Sequence, residues 1–182
     1  MNLSPELQER FARVRLLLMD VDGVLTTGHL IHFAGPDGQM VETKAFDSQD
    51  GMALRWLGWN NVQAGLISGR ISAATTERAR QLDIRYVYQG HIEKIPILDE
   101  ILKESGIARE NIAYVGDDLT DIVVMRRVGL GIATANARPE VKRAAQYVTT
   151  VPGGFGAIRE VAELILQAQG HWDAILKKYE VD

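Results

Sequence analysis

Four short apolar runs in this chain each break off at a cluster of small or charged residues. Arg15-Leu-Leu-Leu-Met19 stops at Asp20-Val-Asp-Gly23, Val62 to Ile67 at Ser68-Gly69, Arg85 to Tyr88 at Gln89-Gly90, and Ile112 to Val115 at Gly116-Asp117. A continuous apolar run closed by turn residues suits an interior strand of a parallel sheet, which is buried on both faces. Helical patterns lie between them: Asp50 to Leu57, Ser72 to Leu82, and Glu93 to Lys103, where Ile95, Leu98 and Leu102 fall at i, i+3 and i+7. Leu130 to Ala133 reads as a further strand and Tyr147 to Thr149 as an edge strand. Phe155 to Gln169 reads as a closing helix with Val161, Leu164, Ile165 and Ala168 on one face. Strands alternating with helices predict an α/β fold with a doubly wound, mostly parallel sheet.

The stretch from Gly28 to Ala45 departs from this alternation. Two extended segments, His29 to Phe33 and Gln39 to Ala45, flank Gly35-Pro-Asp-Gly38, which is turn chemistry for a β-hairpin. Placed directly after the first strand, the hairpin lies beside the carboxyl edge of the sheet, where ligands bind in open α/β folds, and is expected to act as a flap. The tail from Gly170 to Asp182 is polar apart from Trp172, Ile175, Leu176 and Tyr179, and reads as either mobile or docked on a partner. No repeat, linker or low-complexity tract divides the 182 residues, so residues 1–182 are expected to form a single domain.

Composition narrows the chemistry. A hydrophobic fraction of 46% and a charged fraction of 24% are those of a globular protein. No apolar run is long enough to cross a bilayer, and Met1 to Glu9 lacks the pattern of a signal peptide, so the expectation is a cytoplasmic protein with no membrane partner. The absence of cysteine excludes disulfides, thiolate catalysis and cysteine-ligated metals. A net charge of −4 gives no basic surface for nucleic acid, although an anionic small molecule can still meet a local positive patch.

The candidate chemistry sits at the strand ends. Asp20 and Asp22 follow the first strand, two residues apart, so both side chains can point into one crevice. Alone, such a pair is as readily a solvated turn. Gly116-Asp-Asp-Leu-Thr-Asp121 repeats the form on the same edge, and two facing acid clusters are costly unless a hard cation such as Mg²⁺ lies between them. Ser68, Gly69, Arg70 and Lys94 add donors and positive charge suited to phosphate. Each also has a plain structural reading, Ser68 as a helix cap and Arg70 and Lys94 as solvated helix-start residues. His29 and His32 read as solvated flap residues. Val128 to Thr134 lacks the third glycine of a dinucleotide fingerprint. The glycines of Val151 to Gly156 serve equally a turn or a substrate contact.

Taken in order, Asp20-Val-Asp-Gly-Val-Leu-Thr26, Ile67-Ser-Gly69, Lys94 and Gly116-Asp-Asp-Leu-Thr-Asp121 resemble the motifs of the haloacid dehalogenase superfamily. Lys44-Ala-Phe46, Asp50-Gly51, Ile67-Ser-Gly-Arg70, Tyr88-Gln-Gly90, Ala113 to Asp118 and Gly153 to Glu160 are similar to its capless sugar-acid phosphatases. The resemblance implies a Rossmann-like sheet and a phosphatase of lipopolysaccharide precursor synthesis. Its substrate would be a small phosphorylated sugar acid, an eight-carbon ulosonate 8-phosphate, with a nine-carbon 9-phosphate as the alternative. Nine-carbon relatives tend to carry an acid where this chain has Arg70.

By the same resemblance, Asp20 is the nucleophile and Asp22 the general acid and base, while Ser68 and Lys94 hold the phosphoryl group. Mg²⁺ is held by Asp20, the carbonyl of Asp22 and Asp117, and Asp121 orients a metal-bound water or Lys94. Asp118 is an outer neighbour, and Arg70, Gly69 and Lys44 meet the substrate. It further implies a homotetramer in which the hairpin covers a neighbouring subunit's site, with the loop around Gly153 close by. A phospho-receiver also joins aspartates, Mg²⁺ and lysine, but carries its acid pair and its phosphoacceptor in the opposite order. An inactive regulatory relative would have lost a residue needed for turnover, and none is missing here.

Overall fold

The first apolar run forms Leu16–Met19 (β1), buried at every position, and it lies inside a six-stranded sheet in the computed structural model, which describes residues 3–181. Its partners are Gln63–Ser68 (β4), Tyr86–Gln89 (β5), Ile112–Gly116 (β6), Leu130–Ala133 (β7) and Tyr147–Val148 (β8), in the spatial order β5-β4-β1-β6-β7-β8. Every neighbouring pair is parallel. The chain builds outward from β1 on one side through β4 and β5, then crosses to β6, β7 and β8 on the other. The order therefore reverses at β1, and a crevice opens at the carboxyl ends of the strands there.

Alternate residues of β1 feed two cores. Leu17 and Met19 join Phe11, Leu54, Leu57, Val161 and Ile165 on one face, whereas Leu16 and Leu18 join Leu98, Ile101, Val124 and Val141 on the other. The first face is covered by Pro5–Ala12 (α1), Ser48–Trp59 (α2), Ala73–Gln81 (α3), Ala157–Ala168 (α7) and Trp172–Lys178 (α8). Ile95–Ser105 (α4), Leu119–Met125 (α5) and Pro139–Ala144 (α6) cover the second. Helix α1 starts where Ser4 accepts a hydrogen bond from the Leu7 N–H and Pro5 takes the first turn, yet it buries only Phe11. Leu7, one turn before Phe11, packs half-buried against the same core, so the apolar stripe of this helix is a single pair.

The hairpin forms as expected, with Ile31–Ala34 (β2) antiparallel to Met40–Thr43 (β3) and Ile31 opposite Thr43. Its turn is closed by Gly35 N–H to the Gln39 carbonyl at 2.7 Å, and Gly38 adopts φ of 79°. It forms a sheet of its own and exposes Leu30, Ile31, Phe33, Met40 and Val41. The tail packs on its own chain: in α8 Ile175 is buried, and the rings of Trp172 and Tyr179 lie 5.7 and 5.9 Å from that of Trp56. The Arg159 guanidinium stacks 4.0 Å above Trp56 and ties α7 into the same cluster. No helix among the described residues is long and apolar enough to cross a membrane.

Candidate active site

Asp20 leaves the sheet with its N–H still paired to the Val115 carbonyl at 3.0 Å, so its position is set by β6 as well as by β1. One carboxylate oxygen accepts the Val21 N–H at 2.6 Å, and the other lies 3.0 Å from Lys94 Nζ. The chain then curls tightly, with the N–H groups of Val24, Leu25 and Thr26 all directed at the Val21 carbonyl. Gly23, at φ of 87°, allows the second cluster to approach: a Cβ there would fall 2.1 Å from an Asp117 carboxylate oxygen.

Asp121 anchors that second cluster from inside α5, where it is fully buried. Its Oδ2 accepts the N–H groups of Asp117 and Asp118 at 2.9 and 3.1 Å. Its Oδ1 accepts Lys94 Nζ and the Tyr114 hydroxyl, each at 2.7 Å. Asp118 caps α5, accepting the Leu119 N–H at 2.7 Å. Lys94 is no solvated helix-start residue: it is buried at the head of α4, and its ammonium meets Asp20, Asp121 and Tyr114.

Carboxylate oxygens of Asp20, Asp117 and Asp121 lie within 4.8 Å of one another. Burial, with repulsion from Asp121 added, raises Asp20 to about 6 although Lys94 opposes the change. Burial raises Asp117 further, to about 7, with Asp121 and Asp20 both contributing. Burial alone would lower Lys94, but attraction to Asp121 and Asp20 outweighs it and holds the ammonium charged. The set carries more negative charge than one lysine neutralises, and Asp117 Oδ1 is buried with no hydrogen-bond partner. Such a donor set fits a hard cation ligated by oxygen.

The outer part of the site joins the hairpin to the loop after β4. Ser68 caps no helix; its hydroxyl accepts the Arg70 N–H at 3.2 Å, and Ser72 stands at the head of α3. Arg70 pairs with Glu42 and reaches to 3.8 Å from Asp22 Oδ2, with Gly69 between Ser68 and Arg70. The buried Lys44 ammonium pairs with Asp22 and lies 3.6 Å from Glu42. Glu42 was missed in the sequence, where it passes for an ordinary polar strand residue. Its signal was its place two residues before Lys44, hence on the same face of the strand. His29 bonds Thr27 at 2.8 Å and His32 lies 3.9 Å from Glu42, so the two histidines share no site.

The glycine-rich loop proves to be a support for the first motif. A Cβ on Gly153 would meet the Gly23 carbonyl at 1.9 Å, and Gly154 N–H bonds the Val24 carbonyl at 3.0 Å. Asn136 ties the two loops, donating to the Gly23 carbonyl at 3.0 Å and accepting the Gly153 N–H at 2.6 Å. At the far end of the loop, Gly156 begins α7 without a capping side chain, and the buried Asp50 of α2 accepts the Arg159 N–H at 2.7 Å.

A sequence profile of haloacid dehalogenase-like hydrolases matches residues 66–154. The 3-deoxy-D-manno-octulosonate 8-phosphate phosphatase of Salmonella typhimurium is 42% identical over 171 residues, which are 94% of this chain and 89% of that protein. A probable yrbi family phosphatase from Pseudomonas syringae pv. phaseolica superposes with a TM-score of 0.91 at 42% identity, covering 98% of this chain and 99% of its own. The 3-deoxy-D-manno-octulosonate 8-phosphate phosphatase of Moraxella catarrhalis, solved in complex with a magnesium ion, a phosphate ion and a KDO molecule, gives 0.91 at 38% identity, covering 97% and 99%. Identity of this order over nearly the whole length, on a fold that gathers the motif acids at one edge, shows that this chain belongs to the haloacid dehalogenase-like hydrolases, in the family of 3-deoxy-D-manno-octulosonate 8-phosphate phosphatases.

Proposed function

We propose that this protein hydrolyses 3-deoxy-D-manno-octulosonate 8-phosphate to the free sugar acid and phosphate, a step that supplies a sugar acid for lipopolysaccharide synthesis. The observation that carries the reading is Asp20: a buried carboxylate at the switch point of the sheet, held between Lys94 and the Val21 N–H, beside an Asp117 oxygen with no partner. Asp20, the main-chain carbonyl of Asp22 and Asp117 would hold Mg²⁺. An ion bound there would supply charge that screens the nucleophile from the phosphate and offsets the charge on the equatorial oxygens. Asp121 has both oxygens committed, to Lys94 and Tyr114 on one side and to two N–H groups on the other, so its role is to orient Lys94.

In the first half-reaction an Asp20 oxygen forms a bond to phosphorus as the bond from phosphorus to the sugar oxygen breaks, and Asp22 gives its proton to the leaving oxygen. In the second, Asp22 takes a proton from water, whose oxygen displaces Asp20 and releases phosphate. Ser68 and Lys94 hold the phosphoryl group, and Gly69, Arg70 and Lys44 line the side where the sugar acid enters. Arg70 suits a carboxylate because its planar fork can donate two parallel hydrogen bonds.

The exposed apolar hairpin supports assembly in which neighbouring subunits cover one another's sites and keep water out; our reading is a homotetramer that works in the cytoplasm. Phosphate release from a panel of sugar phosphates, with Mg²⁺ and with a chelator, tests the activity. Preference for another sugar phosphate, or turnover indifferent to the chelator, would overturn it. A fully active monomer in sedimentation would remove the tetramer.

A further inference from the structure

We infer that Tyr114 is a positioning residue for Lys94, and that its hydroxyl is the contact which the lysine exchanges for a phosphoryl oxygen. The inference rests on the roles given above to Asp20 and Lys94. An ammonium has three N–H groups and no lone pair. All three are engaged: with Asp20 Oδ2 at 3.0 Å, Asp121 Oδ1 at 2.7 Å and the Tyr114 hydroxyl at 3.0 Å. None is left over for a phosphate, although Lys94 stands at the edge where the phosphate must arrive.

The direction of the tyrosine bonds is forced. Because Lys94 can only donate, the Tyr114 oxygen accepts from it, and the hydroxyl proton goes to Asp121 Oδ1 at 2.7 Å. Burial, strengthened by the nearby Asp121 and Asp20 charges, holds the phenol protonated. Tyr114 is thus the one neutral partner of the ammonium. Hydrogen bonds from an ammonium to a carboxylate are stronger than those to an uncharged oxygen, so the tyrosine contact is the one surrendered when an anionic oxygen enters. Throughout that exchange Tyr114 keeps its bond to Asp121, which holds Asp121, and through it Lys94, in register with Asp20. Tyr114 projects from the middle of β6 toward the core, and its ring is fully buried.

Tyr114→Phe keeps the ring, opens no cavity and removes only the hydroxyl. The expected result is kcat reduced about tenfold, the scale of one hydrogen bond to a charged group. Inorganic phosphate, titrated calorimetrically in the presence of Mg²⁺, should bind as tightly as to the parent or a few-fold more tightly, because the variant has no contact to surrender. This split separates positioning from support. An unchanged kcat with a lowered melting temperature would make Tyr114 a scaffold residue and overturn the inference, as would phosphate affinity falling in step with kcat. Parent turnover measured alongside distinguishes the two levels: an inactive parent refutes the phosphatase reading, whereas an active parent with either contrary result refutes this one.

Discussion

The inner and outer halves of the site are built in opposite ways. Asp20, Lys94, Asp117 and Asp121 project from strand ends and helix starts of the main sheet and Tyr114 from the middle of β6, and their partners are fixed by the same strands that form the core. Asp22, Glu42, Lys44 and Arg70 join the hairpin to the loop after β4, and the hairpin has no strand pairing to the main sheet. The inner half holds charge in a nearly dry place, where small displacements are costly. In the outer half the Arg70 side chain is 45% exposed and already pairs with a carboxylate, Glu42. On the proposed function, the contrast puts the nucleophile and the phosphoryl contacts in the part that cannot adjust and recognition of the sugar acid, by Arg70 and Lys44, in the part that can, with Asp22 serving the chemistry from the boundary between them.

Breaking the inner half should have the largest effect. Asp20→Asn removes the proposed nucleophile and should reduce turnover by roughly a thousandfold or more. Single-turnover labelling with phosphorylated substrate should trap an acyl phosphate in the parent and none in the variant; full activity in Asp20→Asn would remove the mechanism.

A buried acid without a cation sharpens the comparison. Asp50 touches no lysine and no other member of the site, and burial, the largest cause, raises its carboxyl from 3.8 to about 6. A folded state that holds its proton more tightly than the unfolded chain has that advantage below pH 3.8 and loses it as pH rises through about 6. Asp50→Asn cannot ionise, so its stability relative to the parent should improve by roughly 2 kcal/mol between pH 4 and pH 7. Urea unfolding at several pH values measures this, and a difference that stays constant with pH would show that burial leaves the carboxyl unshifted.

Breaking the outer half should cost least and discriminate most. Arg70→Ala should lower kcat/KM for the octulosonate phosphate by about tenfold to a hundredfold, the loss of a charge-assisted hydrogen bond at roughly 1.5–3 kcal/mol. Hydrolysis of p-nitrophenyl phosphate, which has no carboxylate, should hardly change. Equal losses on both substrates would place Arg70 with the inner half and dissolve the division of labour.

The inner half was also the legible half. Asp20 and Asp117 each follow an apolar run, so the break in pattern marks the residue and the parallel sheet brings the breaks together, while Asp121 is marked by its spacing from Asp117. Tyr114 was hidden because it lies inside such a run, where an aromatic residue reads as core. Asn136 was hidden because its partners, Gly23 and Gly153, are remote in sequence and are backbone groups, which leave no trace in residue type. Among the elements, α6 fully buries only Val141 and α1 only Phe11, with Leu7 half-buried one turn before it, and helices this short show too little periodicity to detect. The tail gave an ambiguous signal for the opposite reason. Its aromatic residues do pack, but on Trp56 of the same chain, and the choice between self and partner is made by tertiary contacts alone.

The place of β1 in the sheet has a consequence for biosynthesis. Leu16 to Met19 pair with Gln63 to Leu66 on one side and with Ile112 to Val115 on the other, so the first strand made is among the last to be enclosed. At a synthesis rate of roughly 5–20 residues per second, several seconds pass between the appearance of Asp20 and that of Asp121. Through that interval the nascent chain carries Asp20 without the Asp121 that holds Lys94 beside it, and an apolar strand with one open edge. A prematurely terminated product lacking β6 therefore has an exposed, aggregation-prone edge and lacks Asp117 and Asp121, which complete the acid cluster around Asp20.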